Sequence, residues 1–211
     1  MKEYKLPIGC DVPETIILAD GDFPSHPLAL EWLRQCPYVV CCDGAVNTYI
    51  RSGRMPEAIV GDGDSLLPDI KERYASLIHS EAEQETNDLS KAFRFCLSQE
   101  RKRITIMGAT GKREDHTIGN VSLLADYMEQ AEVSMMTDYG IFVPIREDSM
   151  FESYIGQQIS VFNMNSTALS AEGLAYPLSV FTNWWQGTLN EALARHFIIR
   201  TEGKVLVFRV F

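Results

Sequence analysis

The chain has no cysteine pair at CxxC spacing, only four histidines, no low-complexity tract and no apolar run of membrane-spanning length. Each absence excludes a class of protein. The five cysteines (Cys10, Cys36, Cys41, Cys42 and Cys96) are odd in number and lack metal-ligand spacing, so neither a disulfide framework nor a zinc site is expected. Cys41-Cys42 close an apolar run and read as core filler. Positive charge is scarce: 19 Lys and Arg stand against 29 Asp and Glu, a net charge of −10. That argues against a nucleic-acid partner, which needs a basic face. It leaves room for a phosphorylated ligand, because a divalent metal supplies positive charge locally. Without a membrane-length run, and without a signal-peptide core in residues 1–7, a soluble cytoplasmic protein with no membrane partner is expected.

What is present is an alternation of apolar strands and amphipathic helices. Thr15-Ile16-Ile17-Leu18-Ala19, Tyr38-Val39-Val40-Cys41-Cys42, Ala58-Ile59-Val60, Leu77-Ile78, Ile104-Thr105-Ile106-Met107 and Val133-Ser134-Met135-Met136 read as strands. Helices are expected over residues 26–36 with Ser25 as a possible cap, and over 45–52, 69–75 and 116–130. A further one, capped by Asn87, runs to about Gln99. The βαβα order predicts an α/β fold with a mostly parallel, helix-flanked (Rossmann-like) sheet over residues 1–140. From Gly140 onward helical periodicity fades. Short runs such as Gln158-Ile159-Ser160-Val161-Phe162 and Val205-Leu206-Val207-Phe208 predict a small antiparallel β-sandwich over residues 141–211.

Acidic residues recur at predicted strand ends: Asp20 after the first, Asp43 after the second, Asp62 and Asp64 after the third. Asp88 opens the helix behind Asn87. The segment Gly61-Asp62-Gly63-Asp64-Ser65, taken alone, reads as an Asp/Gly turn. Its company argues otherwise, because a parallel sheet gathers these ends along the edge where ligands bind. Asp62, Asp64 and Asp88 suit Mg²⁺. Lys112 and Arg113 add fixed positive charge, and Gly108-Ala109-Thr110-Gly111 offers a helix-entry anion site. Together they point to nucleotide polyphosphate chemistry. His116 reads as a ligand or as a helix N-terminal residue satisfied by backbone. Trp184-Trp185 read as core or as a stacking platform. Gln84 and Lys91 read as site residues or solvated positions, and His26, His79 and His196 as surface residues. No Ser/His/Asp or Cys/His nucleophile set is evident, so direct transfer is expected.

These motifs resemble those of the thiamine pyrophosphokinase (thiamine diphosphokinase) family, in the same order along the chain. Cys42-Asp43-Gly44-Ala45-Val46-Asn47 is similar to A-D-G-G-A-N, and Gly61-Asp62-Gly63-Asp64-Ser65 to G-D-F-D-S. Residues 84–91, Q-E-T-N-D-L-S-K, resemble Q-D-x-T-D-x-x-K. Residues 108–117, G-A-T-G-K-R-E-D-H-T, resemble G-A-T-G-G-R-x-D-H-T, with Asn120 following. Gly173-Leu174-Ala175-Tyr176-Pro177-Leu178 and the Gly187–Glu191 segment resemble two C-terminal motifs. The chain departs at Gly63, where the family has Phe and where a looser loop is expected. It departs also at Ala45, at Asn87, and at Leu189, where Ser is expected.

The resemblance implies ATP-dependent pyrophosphoryl transfer to the hydroxyl of thiamine, giving thiamine diphosphate and AMP. It implies Mg²⁺, a homodimer, a catalytic domain at residues 1–140 and a thiamine-binding and dimerisation domain at 141–211. Thiamine would sit where the two domains and the partner subunit meet. Asp62, Asp64 and Asp88 would hold the metal. Lys112 and Arg113 would assist electrostatically, while Gly108, Thr110 and Gly111 hold phosphate. Asp43, Gly44, Gln84, Lys91, His116 and Asn120 would lie near nucleotide or substrate groups. Asp115 would orient or deprotonate the hydroxyl, hold Arg113, or bind metal. Asn190 with Trp184 or Trp185 would meet the thiamine ring. The competing readings are another Mg²⁺-dependent phosphotransferase or nucleotide hydrolase, and a non-catalytic nucleotide- or thiamine-sensing dimer.

Overall fold

Ile16, Ile17 and Leu18 are all fully buried, as residues in the middle of a helix-covered parallel sheet must be. The computed structural model describes residues 1–7, 11–80 and 85–211. The chain divides into two units: one joins the N-terminal segment to Tyr139–Phe211, and the other ends at Asp138. After a short strand β1 (Lys2–Tyr4) of the first unit, the second runs β2 (Thr15–Leu18), α1 (Pro27–Gln35), β3 (Val39–Cys42), α2 (Ala45–Arg51) and β4 (Ala58–Gly61). It continues with α3 (Pro68–Arg73), β5 (Ile78–Ser80), α4 (Asp88–Ser98), β6 (Arg103–Met107), α5 (Glu114–Tyr127) and β7 (Glu132–Met136).

Among the described residues, the strands of this unit all pair in parallel, in the order β7-β6-β2-β3-β4-β5. The chain adds strands on one side of β2, then crosses back and adds β6 and β7 on the other. The order therefore reverses between β2 and β6. In open α/β sheets ligands bind outside the carboxyl ends of strands at such a reversal. α4 buries Leu89, Ala92, Phe93 and Cys96. Phe93 stacks on Tyr127 of α5 at 3.9 Å, which fixes the two helices that lead into the acidic edge. Asn87 caps α4 by accepting from the Ser90 N–H at 2.9 Å, as its sequence position predicts.

The cap of α1 differs from expectation. His26, rather than Ser25, is the N-cap, and its Nδ1 accepts from the Leu28 N–H. Ser25 is displaced from that role by Asp138, whose carboxylate accepts from the Ser25 N–H and hydroxyl and from the His26 N–H. His26 is thus a capping residue and not a free surface histidine. Helix α5 starts at Glu114, two residues before the predicted His116, which places Glu114 and Asp115 in its first turn where the helix dipole favours acids.

The other unit contains β8 (Gly140–Ile145), β9 (Ser149–Glu152), β10 (Gln158–Asn163), β11 (Leu169–Glu172), β12 (Asn190–Glu191), β13 (His196–Thr201) and β14 (Val205–Val210). Within it, β12-β10-β14-β8 pair antiparallel. β9, β13 and β11 also pair antiparallel, but β1 joins β9 in parallel. Two expectations are corrected here: residues 2–4 leave the N-terminal domain, and the small domain is not wholly antiparallel. Lys2-Glu3-Tyr4 is too short and too charged to read as a strand, and long-range packing creates it. Tyr4 stacks on Phe151 at 4.8 Å and Phe151 on Phe197 at 5.0 Å. Buried Arg209 lies 5.1 Å over the Phe151 ring. Its guanidinium donates to the Lys5 and Glu152 carbonyls, both at 3.0 Å, so one side chain of the last strand ties down the residue that follows the first. Burial lowers the Arg209 pKa to about 10, which leaves it charged at neutral pH.

No helix among the described residues is long and apolar enough to cross a membrane.

Phe151, 0% exposed, is the centre of this stack. Phe151→Ala is expected to lower unfolding free energy by about 3–5 kcal/mol, read as a shifted urea midpoint at unchanged slope. A loss below about 1 kcal/mol would show that the stack does not hold the N-terminal strand.

Candidate active site

The reversal in strand order brings the loop after β2 against the loop after β6, and backbone hydrogen bonds lace them together. Ala19 N–H donates to Met107 O at 2.8 Å, Gly21 N–H to Gly108 O at 2.6 Å, and Asp22 N–H to Thr110 O at 2.8 Å. A cavity of about 480 Å³ opens at this junction. Asp20 and Gly21 line it from the β2 loop, Cys42 from the end of β3, and Asp62 from the loop after β4. The start of α4 contributes Asn87, Asp88 and Lys91; the β6–α5 connection contributes Ala109, Thr110, Lys112, Arg113, His116 and Asn120. One cavity thus carries both carboxylates and cations.

The predicted acids do not all converge. Asp62 and Asp88 line the cavity, whereas Asp64 is exposed and borders a separate depression with Gly63, Leu66 and Lys71. The Asp64 N–H donates to Asp62 Oδ1 at 3.1 Å, an Asx turn that sends the two side chains apart. Among the described residues, no group of three His, Cys, Asp or Glu side chains is arranged to hold a metal ion. Mg²⁺ fits another mode, in which one or two carboxylates hold an ion that arrives with phosphate oxygens. Asp62 and Asp88 supply hard oxygens for that mode.

Asp43 does not line the cavity. It is buried at the end of β3, its Oδ2 accepts from the Ser65 N–H at 2.9 Å, and its Oδ1 has no partner. It fixes the acidic loop from behind. Asn47 assists, donating to Ser65 O and accepting from the Leu67 N–H. Gly63, expected to loosen that loop, sits in the left-handed region at φ +80, where Phe would be strained. Its carbonyl is anchored by Lys71 Nζ at 3.0 Å.

Asp88 is half-buried and its pKa is raised, first by burial and then by the charges of Asp43 and Asp62; the hydrogen bond from Lys91 opposes the shift. Lys91, read from sequence as possibly solvated, is buried and lies 3.2 Å from Asp88 Oδ1. Each cation of the cavity is held by a carboxylate. Lys112 Nζ lies 3.0 Å from Asp20 Oδ1, and Arg113 makes a two-pronged contact with Asp115 at 3.0 and 2.5 Å. Arg113 draws the Asp115 pKa down to about 2. Asn120 donates to Ala109 O at 2.9 Å and accepts from Asn87, joining the β6 loop to the α4 cap. Gly108 and Gly111 shape the loop without lining the cavity, and Gly44 is the N-cap of α2. Gln84 lies outside the described residues. Thr86 and Thr117, which were not singled out as site residues, also line the wall; neither carries a charge or glycine signal that sequence reasoning could use.

Asn190, Trp184 and Trp185 belong to the C-terminal unit, and none lines this cavity. Asn190 is buried and committed to its own loop: it donates to Tyr176 O at 2.8 Å and accepts from the Tyr176 and Glu191 N–H groups. Trp184 packs edge-on against Phe162 at 6.0 Å, and Trp185 is 73% exposed. Leu189 holds a left-handed backbone (φ +61) with its side chain exposed, a costly arrangement for a bulky residue.

Comparison with known proteins gives matches in both units. Residues 29–136 match the family model for thiamin pyrophosphokinase, catalytic domain, and residues 140–208 that for thiamin pyrophosphokinase, substrate-binding domain. Curated relatives include thiamine pyrophosphokinase 1 of Oryza sativa, 29% identical over 129 residues, 49% of each chain. Another is thiamin pyrophosphokinase 1 of Caenorhabditis elegans, 31% identical over 110 residues, covering 48% of this chain and 45% of that one. The chain thus spans about half the length of the curated relatives it matches. Among solved structures, the thiamin pyrophosphokinase from Candida albicans superposes with a TM-score of 0.81 at 18% identity, covering 100% of this chain and 93% of that one. The Bacillus subtilis thiamine pyrophosphokinase gives 0.78 at 21% identity, covering 93% and 98%. At these identities the superpositions show a shared fold.

The raised pKa of Asp88 has a measurable consequence. A carboxyl with a raised folded-state pKa contributes stability that is complete below the ordinary value of about 3.9 and is lost as pH rises through the folded value. Asp88→Asn removes that loss. Unfolding free energy measured against pH is expected to fall less steeply for the variant than for the unaltered chain across the acidic range. Parallel curves would show that Asp88 is not electrostatically crowded.

Proposed function

The chain belongs to the thiamin pyrophosphokinase family, and from that premise we propose that it transfers the pyrophosphoryl group of ATP to the hydroxyl of thiamine, releasing AMP. The observation that carries the reading is the single cavity at the strand-order reversal, lined by Asp62, Asp88 and Lys91 and by Lys112 and Arg113 of the β6–α5 connection. A polyphosphate with its cation needs both signs at once.

In this reading the parallel α/β unit is the Rossmann-like catalytic domain. The C-terminal unit is a β-sandwich that binds thiamine and joins two copies of the chain in a homodimer. Asp62 and Asp88 would hold Mg²⁺, which when bound withdraws charge from the phosphates. Asp64 belongs to the same loop and supports it. Ionised Asp88 is unfavourable among Asp43 and Asp62, so a cation there relieves a repulsion already built in. Asp43 keeps the acidic loop in place through Ser65. Lys91 steadies Asp88, while Lys112 and Arg113 meet phosphate oxygens, and Thr110 and His116 complete that wall. Asp115, with its pKa near 2, is a weak base at neutral pH, so its role is to aim Arg113 and orient the attacking hydroxyl. Thiamine is cationic, and the exposed indole of Trp185 offers a face for it.

Incubation with ATP, Mg²⁺ and thiamine is expected to yield AMP in step with thiamine diphosphate. ADP in place of AMP would identify a different phosphotransferase, and binding without turnover a sensor. Asp88→Asn is expected to lower kcat by roughly 10²–10³-fold, measured from AMP release. Activity within about twofold of the unaltered chain would remove Asp88 from the reaction.

A further inference from the structure

Asp20 has no role in the reading above, yet it stands where two cavities share a wall. Besides the larger cavity, a smaller one of about 160 Å³ is lined by Asp22, Phe23 and Thr48. Asp20 and Lys112 line both, and their ion pair, 3.0 Å between Nζ and Oδ1, lies across the junction. Both side chains are about half exposed, 55% for Lys112 and 48% for Asp20, so the pair is weak and exchangeable. Asp20 itself is well placed. The backbone bonds of Ala19 and Gly21 to the β6 loop fix it on either side. Its Oδ2 also packs so close to Gly44 that a Cβ there would lie 2.6 Å away.

We infer that Asp20 is a positioning residue, an internal counter-ion that holds Lys112 in reserve. A polyphosphate entering the larger cavity takes Lys112 from Asp20, and opening the pair joins the two cavities into one. The inference rests on the reading of the larger cavity as a polyphosphate site. Three consequences follow physically. Asp20 lowers affinity for the anion by competing for its cation. It keeps Lys112 extended across the cavity mouth and not collapsed onto the crowded acids of the cavity. Its effect also weakens with ionic strength, because the pair is open to solvent.

The test is binding of inorganic tripolyphosphate by calorimetry, which needs neither thiamine nor turnover and so stands apart from the assay of the reaction. Asp20→Asn is expected to tighten binding about two- to fivefold at low salt, with the gain shrinking at high salt. Lys112→Gln is expected to weaken binding, and adding Asp20→Asn to it to change nothing further, since the partner is gone. Asp22→Asn, which removes the same charge two residues away, serves as the control and is expected to have a smaller effect than Asp20→Asn. Equal effects of the two substitutions, an undiminished Asp20→Asn gain in the Lys112→Gln background, or no tripolyphosphate binding by the unaltered chain would each overturn the inference.

Discussion

The structure depends on where the parallel sheet changes direction. Because β6 returns to the far side of β2, the loops after these strands lie side by side. Three backbone hydrogen bonds, from Ala19, Gly21 and Asp22 to Met107, Gly108 and Thr110, lock them together. Strands of opposite direction of growth leave a crevice between their following loops. Here that crevice receives Asp20 from one side and Lys112 and Arg113 from the other. The ends of β3 and β4 and the start of α4 then close the remaining wall.

The constraint has an electrostatic cost. Gathering strand ends gathers their carboxylates, so burial and then the charges of Asp43 and Asp62 raise the pKa of Asp88. Buried Lys91 offsets this locally. A site in which every cation already has a carboxylate partner is stable enough to fold and still able to exchange partners with an anion. Such crowding is the common compromise of stability against function at sites for charged ligands. The C-terminal unit solves a different problem. Its small core is completed by a strand from the opposite end of the chain, clamped by the Tyr4–Phe151–Phe197 stack and by Arg209.

Much of this is legible in the sequence. The alternation of apolar strands and amphipathic helices predicted the parallel unit because period and burial are local properties of the residues. The recurrence of Asp at strand ends predicted the acidic edge. The expectations that failed depend on contacts between distant residues. Residues 2–4 become a strand only on β9. His26 becomes a cap only because Asp138 occupies Ser25. Lys91 is buried although a lysine ordinarily takes the solvent face of a helix. Gly63 looked like slack, but Lys71 anchors its carbonyl and the left-handed backbone there requires a glycine.

By itself the sequence determined the elements, the family motifs and the inventory of charges, since these follow from residue type and spacing. Only the tertiary structure decided which charges meet. It placed Asp62 and Asp88 in one cavity and turned Asp64 to another. It committed Asn190 to its own loop and set Asp20 against Lys112. The reason is geometric: spacing along a strand or helix fixes which face a side chain takes, but the distance between two loops is set by sheet order and by the backbone bonds that close between them.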